Sequence, residues 1–138
     1  MTNNPLRAEA KIKAGQGAKD KDILRAHHSF ADVVDDSGLA GIVELSHLCE
    51  PDIVVITGTV PHERRHAYWG LSEACTDLEL WRSTQSNIAT LFATDSSVMN
   101  PSRIMRVAGT VSYPNTDKQK RGYISELVSM KEKVNGCH

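Results

Sequence analysis

A chain of 138 residues has the length of one domain and can bury a single core without disulfide or metal staples. Charged residues make up 24% and hydrophobic residues 40%, an ordinary balance for a globular protein. The net charge of −1 excludes a global positive field, although Arg103, Arg106, Lys118, Lys120 and Arg121 crowd a stretch whose one acid is Asp117.

Residues 1–22 are polar, with Gly15, Gln16 and Gly17 together and no apolar period, which predicts a flexible N-terminal arm. From Ile23 to residue 130 the pattern is that of a folded domain. Residues 29–34, SFADVV, alternate loosely and run into the acidic pair Asp35-Asp36, a strand signal with Asp32 inside it. Ser37 is a capping residue for a helix that carries Leu39, Ile42, Val43 and Leu45 or Leu48 inward. Pro51 stops it, and Ile53-Val54-Val55-Ile56 reads as a strand buried on both faces. After a loop over 57–65, a strand runs from Arg65 to Leu71. Arg64, His66 and Tyr68 fall on one of its faces, and Arg65, Ala67 and Trp69 on the other.

Thr76 and Glu79 have capping-box spacing, so a helix starts near Asp77, with Trp81, Ile88, Leu91 and Phe92 on one stripe. Beyond Asp95, Ile104–Val107 and Thr110–Tyr113 are short strand candidates around a turn at Ala108-Gly109. Residues 115–122 form a polar loop, Tyr123 to Val128 a last strand, and the polar tail from Ser129, with 131–138 beyond the domain, is expected to fray. The order β–α–β–β–α–β–β predicts an α+β fold, a mixed or antiparallel sheet with helices packed on one face. The cysteines, Cys49, Cys75 and Cys137, have no zinc or disulfide spacing, and no apolar run approaches the ~18 residues of a membrane span. A reduced, cytoplasmic setting is expected.

Three stretches carry chemistry. The segment from Phe92 to Pro114, FATDSSVMNPSRIMRVAGTVSYP, resembles the third conserved block of the archaeo-eukaryotic primase superfamily, in the RepB-like primase-polymerase form carried by phages and plasmids. Thr57 to Trp69, ending His66-Ala67-Tyr68-Trp69, is similar to the second block, and Phe30 to Asp36 to the first. The likeness extends over Asn4 to Val128, and it places the opening helix and strand of the family domain before Met1, an N-terminal truncation. It implies an RRM-like primase-polymerase core that performs template-directed nucleotidyl transfer, by two-metal catalysis, in the replication of a mobile element.

Such chemistry needs Mg²⁺ or Mn²⁺, hence carboxylate oxygens converging from separate strands. By resemblance Asp32 and Asp95 are metal ligands, His66 contacts nucleotide phosphate, and Asp32, His66 and Asp95 form the catalytic set. Val34 stands where a D-x-D strand would supply the second acid of the first block, so either Asp35, through a bulge, or Asp36 must reach the metal. The same two acids also suit the N-terminal flank of the following helix. Arg64, Arg103 and Arg106 are nucleotide-binding candidates, the last two on one side only if their stretch is turned rather than extended. Lys118 and Arg121, with Tyr113, are candidates for contact with a single-stranded DNA template. The implied partners are a nucleoside triphosphate, that template, a separately encoded helicase, and a second copy paired along the sheet edge that truncation leaves open. The Val34 substitution equally suits a degenerate domain that binds single-stranded DNA or nucleotide without catalysis.

Overall fold

Apolar and aromatic residues dominate the run from Ala26 to Val33, and in the computed structural model, which describes residues 4–14, 16–97, 99–103 and 105–133, this run is strand β1. It is followed by α1 (Asp36–Leu48), β2 (Ile53–Gly58), β3 (Arg64–Cys75) and α2 (Leu78–Phe92). Then come β4 (Val111–Ser112), α3 (Thr116–Lys120), β5 (Glu126–Leu127) and β6 (Ser129–Glu132). The main sheet has the order β1-β3-β2-β6 and β4 pairs with β5. Every pairing is antiparallel. This is the α+β class expected, with an antiparallel rather than a mixed sheet.

Strand alternation gives the sheet two different faces. On one, Phe30, Tyr68 and Val55 pack with Trp81, Met105 and Val128; Phe30 lies with its ring centroid 5.5 Å from that of Trp81 and 6.1 Å from that of Tyr68. On the other, Ala31, Val33, Ala67 and Trp69 receive Ile42 and Leu39 of α1 and Ile88 of α2. The division of β3 into His66/Tyr68 and Ala67/Trp69 faces is therefore as its period predicts. Val43 and Leu91, expected inward, are exposed, and of the pair Leu45 or Leu48 it is Leu45 that packs on the core. In α2 the buried positions are Trp81, Gln85 and Ala89.

The helix starts differ from expectation by which acid or hydroxyl does the capping. Asp35, not Ser37, caps α1, its Oδ1 accepting from Gly38 N at 2.9 Å. Asp77 itself caps α2 through Leu80 N. Past Asp95 the corrections are larger. Met105 to Val107 are not a strand, and Ile104 of that candidate lies outside the described residues. The polar loop 115–122 contains α3, capped by Asn115 Oδ1 accepting from Lys118 N. The expected strand 123–128 shortens to β5, and part of the supposed frayed tail is β6, hydrogen-bonded to β2. Polar SMKE was read as tail because an exposed edge strand carries no apolar alternation.

The outer edge of β1 is not open. Gln85, 1% exposed, donates Nε2 to Phe30 O at 2.8 Å and accepts Phe30 N on Oε1 at 3.1 Å, so one amide side chain takes the place of a strand neighbour. Trp81 Nε1 donates to His28 O, Asp95 N to Asp32 O, and His27 N to Asn4 Oδ1. These bonds occupy part of the edge along which a second copy would have to pair at β1. Nor is the segment before Ile23 a free arm: Asn4 is buried and Leu6 bridges Ile23. Gln85→Leu keeps the volume but strands two buried backbone groups, and is expected to cost about 3 kcal/mol, read as a lower urea midpoint with unchanged slope. No helix among the described residues is long and apolar enough to cross a membrane.

Candidate functional site

Asp32 and His66 are opposite one another in the β1–β3 register, on the same face as Phe30 and Tyr68 but nearer the end of β1. There the apolar core gives way to a cavity of about 450 Å³. Asp32 and His66 line it, and so do Asp95, Arg103, Arg106 and Lys118. Residues more than sixty positions apart in the sequence thus share one concavity.

Each is delivered by identifiable local structure. α2 ends at Ala93 in the left-handed region (φ 54°), which turns the chain back toward β1. Asp95 N then donates to Asp32 O at 2.9 Å, and Asp95 Oδ1 accepts from Ser97 N at 2.8 Å. A turn leads into the arginines, Arg103 N donating to Asn100 O, and Met105 inserts into the core between them in sequence. Arg103 and Arg106 both line the cavity.

Burial makes the charges costly. Asp32 is pushed up to about 6, first by desolvation and second by the Asp95 carboxylate, against the pull of Arg103, Lys118 and Arg106. His66 is pushed down to about 4, by desolvation and then by Arg106 and Arg103. His66 Nε2 lies 3.5 Å from Asp32 Oδ1. With its pKa that low the imidazole is neutral at pH 7, so the contact is carboxylate to neutral ring, not an ion pair. His66 Nδ1 is buried without a hydrogen-bond partner among the described residues.

These shifts have opposite linkage signs. Asp32 is raised from 3.8, so it contributes stability below that value and loses it as pH rises through about 6. His66 is lowered from 6.5, so it contributes stability above that value and loses it as pH falls through about 4. Between those limits the two slopes, each at most about 1.4 kcal/mol per pH unit, oppose one another. Chemical denaturation from pH 4 to 6 is expected to give a nearly level wild type. Stability should rise with pH in Asp32→Asn and fall with pH in His66→Gln.

The other sequence candidates divide. Asp35 caps α1, and Asp36, expected to ligate metal, sits in that helix's first turn and does not line the cavity. Arg64 lines the cavity but is already engaged: Nη1 donates to Val60 O and His62 O, and Nη2 pairs with Glu126 at 3.4 Å. Lys118 lines the cavity, whereas Arg121 stands outside it, its guanidinium 5.2 Å from the Tyr123 ring centroid.

Two residues that the sequence did not single out organise this side. Tyr123 has Arg64 at 4.3 Å and Lys118 at 5.8 Å from its ring centroid, as well as Arg121. Glu126 accepts from Thr59 N, Thr59 Oγ1 and Val60 N, fixing the 59–63 loop to β5. Burial works against its ionisation, but these hydrogen bonds and Arg64 outweigh that and hold its pKa below the usual range. Nothing local in the sequence marks a carboxylate whose partners lie 66 and 67 residues away.

No family model matches the chain, and no curated protein does. Among solved structures, the AEP domain of the cyanophage S-2L primase-polymerase superposes with a TM-score of 0.60 at 24% identity, over 86% of this chain. The chain spans 58% of that domain's length. At this identity the likeness is one of fold, an antiparallel sheet with helices packed on it.

Proposed function

We propose that this chain is a nucleotidyltransferase domain of the primase-polymerase kind, joining a nucleoside triphosphate to a growing strand on a single-stranded template. The observation that supports it most is the convergence of Asp32, Asp95 and His66 with Arg103, Arg106 and Lys118 on one cavity. Two half-buried acids are held against three cations that form no ion pair among the described residues, an arrangement matched to a polyanion that arrives with a counter-cation. The cyanophage origin of the structural neighbour agrees with a role in replicating a mobile element.

The donor set is suited to one hard divalent cation. Mg²⁺ is commonly bound by one or two carboxylates, with substrate phosphate and water completing its shell. Asp32 and Asp95 would hold Mg²⁺ or Mn²⁺, which when bound lowers the pKa of an attacking hydroxyl and neutralises triphosphate charge. No group of three His, Cys, Asp or Glu side chains suited to a metal occurs among the described residues. Val34, in the position a second strand acid would take, is exposed just past β1 and supplies no oxygen there. Arg103, Arg106 and Lys118 would bind and orient the triphosphate. His66 would line the cavity floor beside Asp32, its buried ring keeping bulk water from the phosphates.

The same shortage of acids favours a second reading, binding of nucleotide or single-stranded DNA without catalysis. Extension of a primed single-stranded template with labelled deoxynucleotides in Mn²⁺ decides between them. Incorporation is expected. Triphosphate binding without incorporation would leave the binding reading, and loss of both at low salt would overturn the two together.

A further inference from the structure

The turn Asn100–Arg103, which leads into Arg103 and then Arg106, belongs to no strand or helix, so something other than a backbone ladder must fix it. Met105 supplies an apolar anchor on one side. On the other, two polar side chains from the first twenty residues grip the two residues immediately before Arg103. Asn4, 2% exposed, donates Nδ2 to Pro101 O at 3.1 Å, and its Oδ1 accepts from His27 N at 3.2 Å. Its one amide therefore spans from the edge of β1 to the arginine turn. Asp20 accepts on Oδ1 from Ser102 Oγ at 2.6 Å and from Ser102 N at 3.3 Å, while its Oδ2 faces Arg82 Nη2 of α2 at 2.8 Å. Pro101 and Ser102 are themselves buried.

Apolar side chains would bury this junction at less desolvation cost, but they would not fix its distance and direction. Directional bonds do: an amide and a carboxylate set where the Pro101 carbonyl and the Ser102 amide lie, and the next residue is Arg103. We infer that Asn4 and Asp20 are positioning residues, which act through Pro101 and Ser102 to aim Arg103 and Arg106 at the phosphates of a bound triphosphate. Neither lines the cavity, so their influence on binding runs through the turn. This role rests on the reading under Proposed function and assigns to the N-terminal segment a task within that same site. A guanidinium displaced by as little as ~1 Å loses much of its bidentate geometry, so the effect on phosphate binding exceeds the effect on stability.

The test uses Asp20→Ala and Ser102→Ala, with Arg82→Ala as control because it removes the partly exposed α2 partner and leaves the Ser102 bonds. Amide exchange in the ligand-free protein is expected to quicken across 100–107 in the first two variants and to stay at wild-type rates there in Arg82→Ala. Affinity for dATP with Mn²⁺ is expected to fall on the order of tenfold in Asp20→Ala and Ser102→Ala. In an Arg103→Ala, Arg106→Ala background Asp20→Ala should add no further loss, the non-additivity of residues that act in series. Ser102→Thr, which keeps the hydroxyl, should restore most of the affinity. Wild-type exchange in both variants overturns the inference, as does faster exchange with unchanged dATP affinity. A wild-type chain whose dATP binding ignores Arg103→Ala overturns the proposed function instead, and this role with it.

Discussion

Asp32→Asn lowers Mn²⁺-dependent incorporation by roughly a thousandfold or more while making the chain more stable at pH 7. The loss follows from the donor set. With two carboxylates facing the cavity, removing either leaves one charged ligand, and several kcal/mol of transition-state stabilisation go with it. The gain follows from the cost of Asp32 in the folded state. Desolvation and the Asp95 carboxylate raise its pKa from 3.8 to about 6, so at pH 7 the ionised form is held against a penalty of about 1–3 kcal/mol that a neutral amide escapes. Single-nucleotide extension and urea denaturation on the same preparation read the two effects. Asp95→Asn should match the activity loss. Full activity in either variant would remove the carboxylate pair from the mechanism, and a destabilised Asp32→Asn would show that the carboxylate is held by partners rather than strained.

Gly41→Val is expected to cost at least ~3 kcal/mol and to lower Tm by ~10 °C or more, with loss of the site as well. A Cβ at Gly41 would lie 2.0 Å from Phe92 O and 2.7 Å from Phe92 C, backbone atoms that cannot rotate aside. Gly38, one turn earlier, would bring a Cβ to 3.0 Å of Ala93 O. α1 thus carries a small-residue face on which the C-terminal end of α2 rests. Separating the helices moves Ala93, and with it the turn that sends Asp95 N to Asp32 O. Thermal unfolding followed by circular dichroism, with triphosphate binding on any folded fraction, checks both parts. Wild-type stability in Gly41→Val would refute the close approach. Gly41→Ala should fall between the two, because one methyl needs less helix movement.

The parts of this molecule that could be read from sequence are those whose cause is local. β2 announces itself as four consecutive β-branched residues, β3 by its two-residue period, and α2 by an acid-capped amphipathic run. Asp32, His66 and Asp95 were named from motif resemblance, and the cavity contains all three. What escaped was set by distant partners. Asp36 carries two readings in the sequence, because an acid before a helix serves capping and metal binding with the same residue type, and only the three-dimensional path distinguishes them. Glu126, Tyr123 and Asn4 matter through groups far away in the chain, and none lies in a pattern that spacing alone would flag. Ser129–Glu132 looked like tail because an edge strand keeps its ladder through backbone atoms, which sequence does not display.

The ties from Asn4 to Pro101, from Asp20 to Ser102 and from Thr59 to Glu126 bridge 97, 82 and 67 positions. During synthesis on the ribosome, sheet pairing among β1, β2 and β3 can be complete while the cavity still lacks its arginine wall and its glutamate clasp. A nascent chain halted short of Glu126 would have its central strands paired but lack the clasp on Thr59 and Arg64 and the edge strand β6, so that side of the cavity closes last.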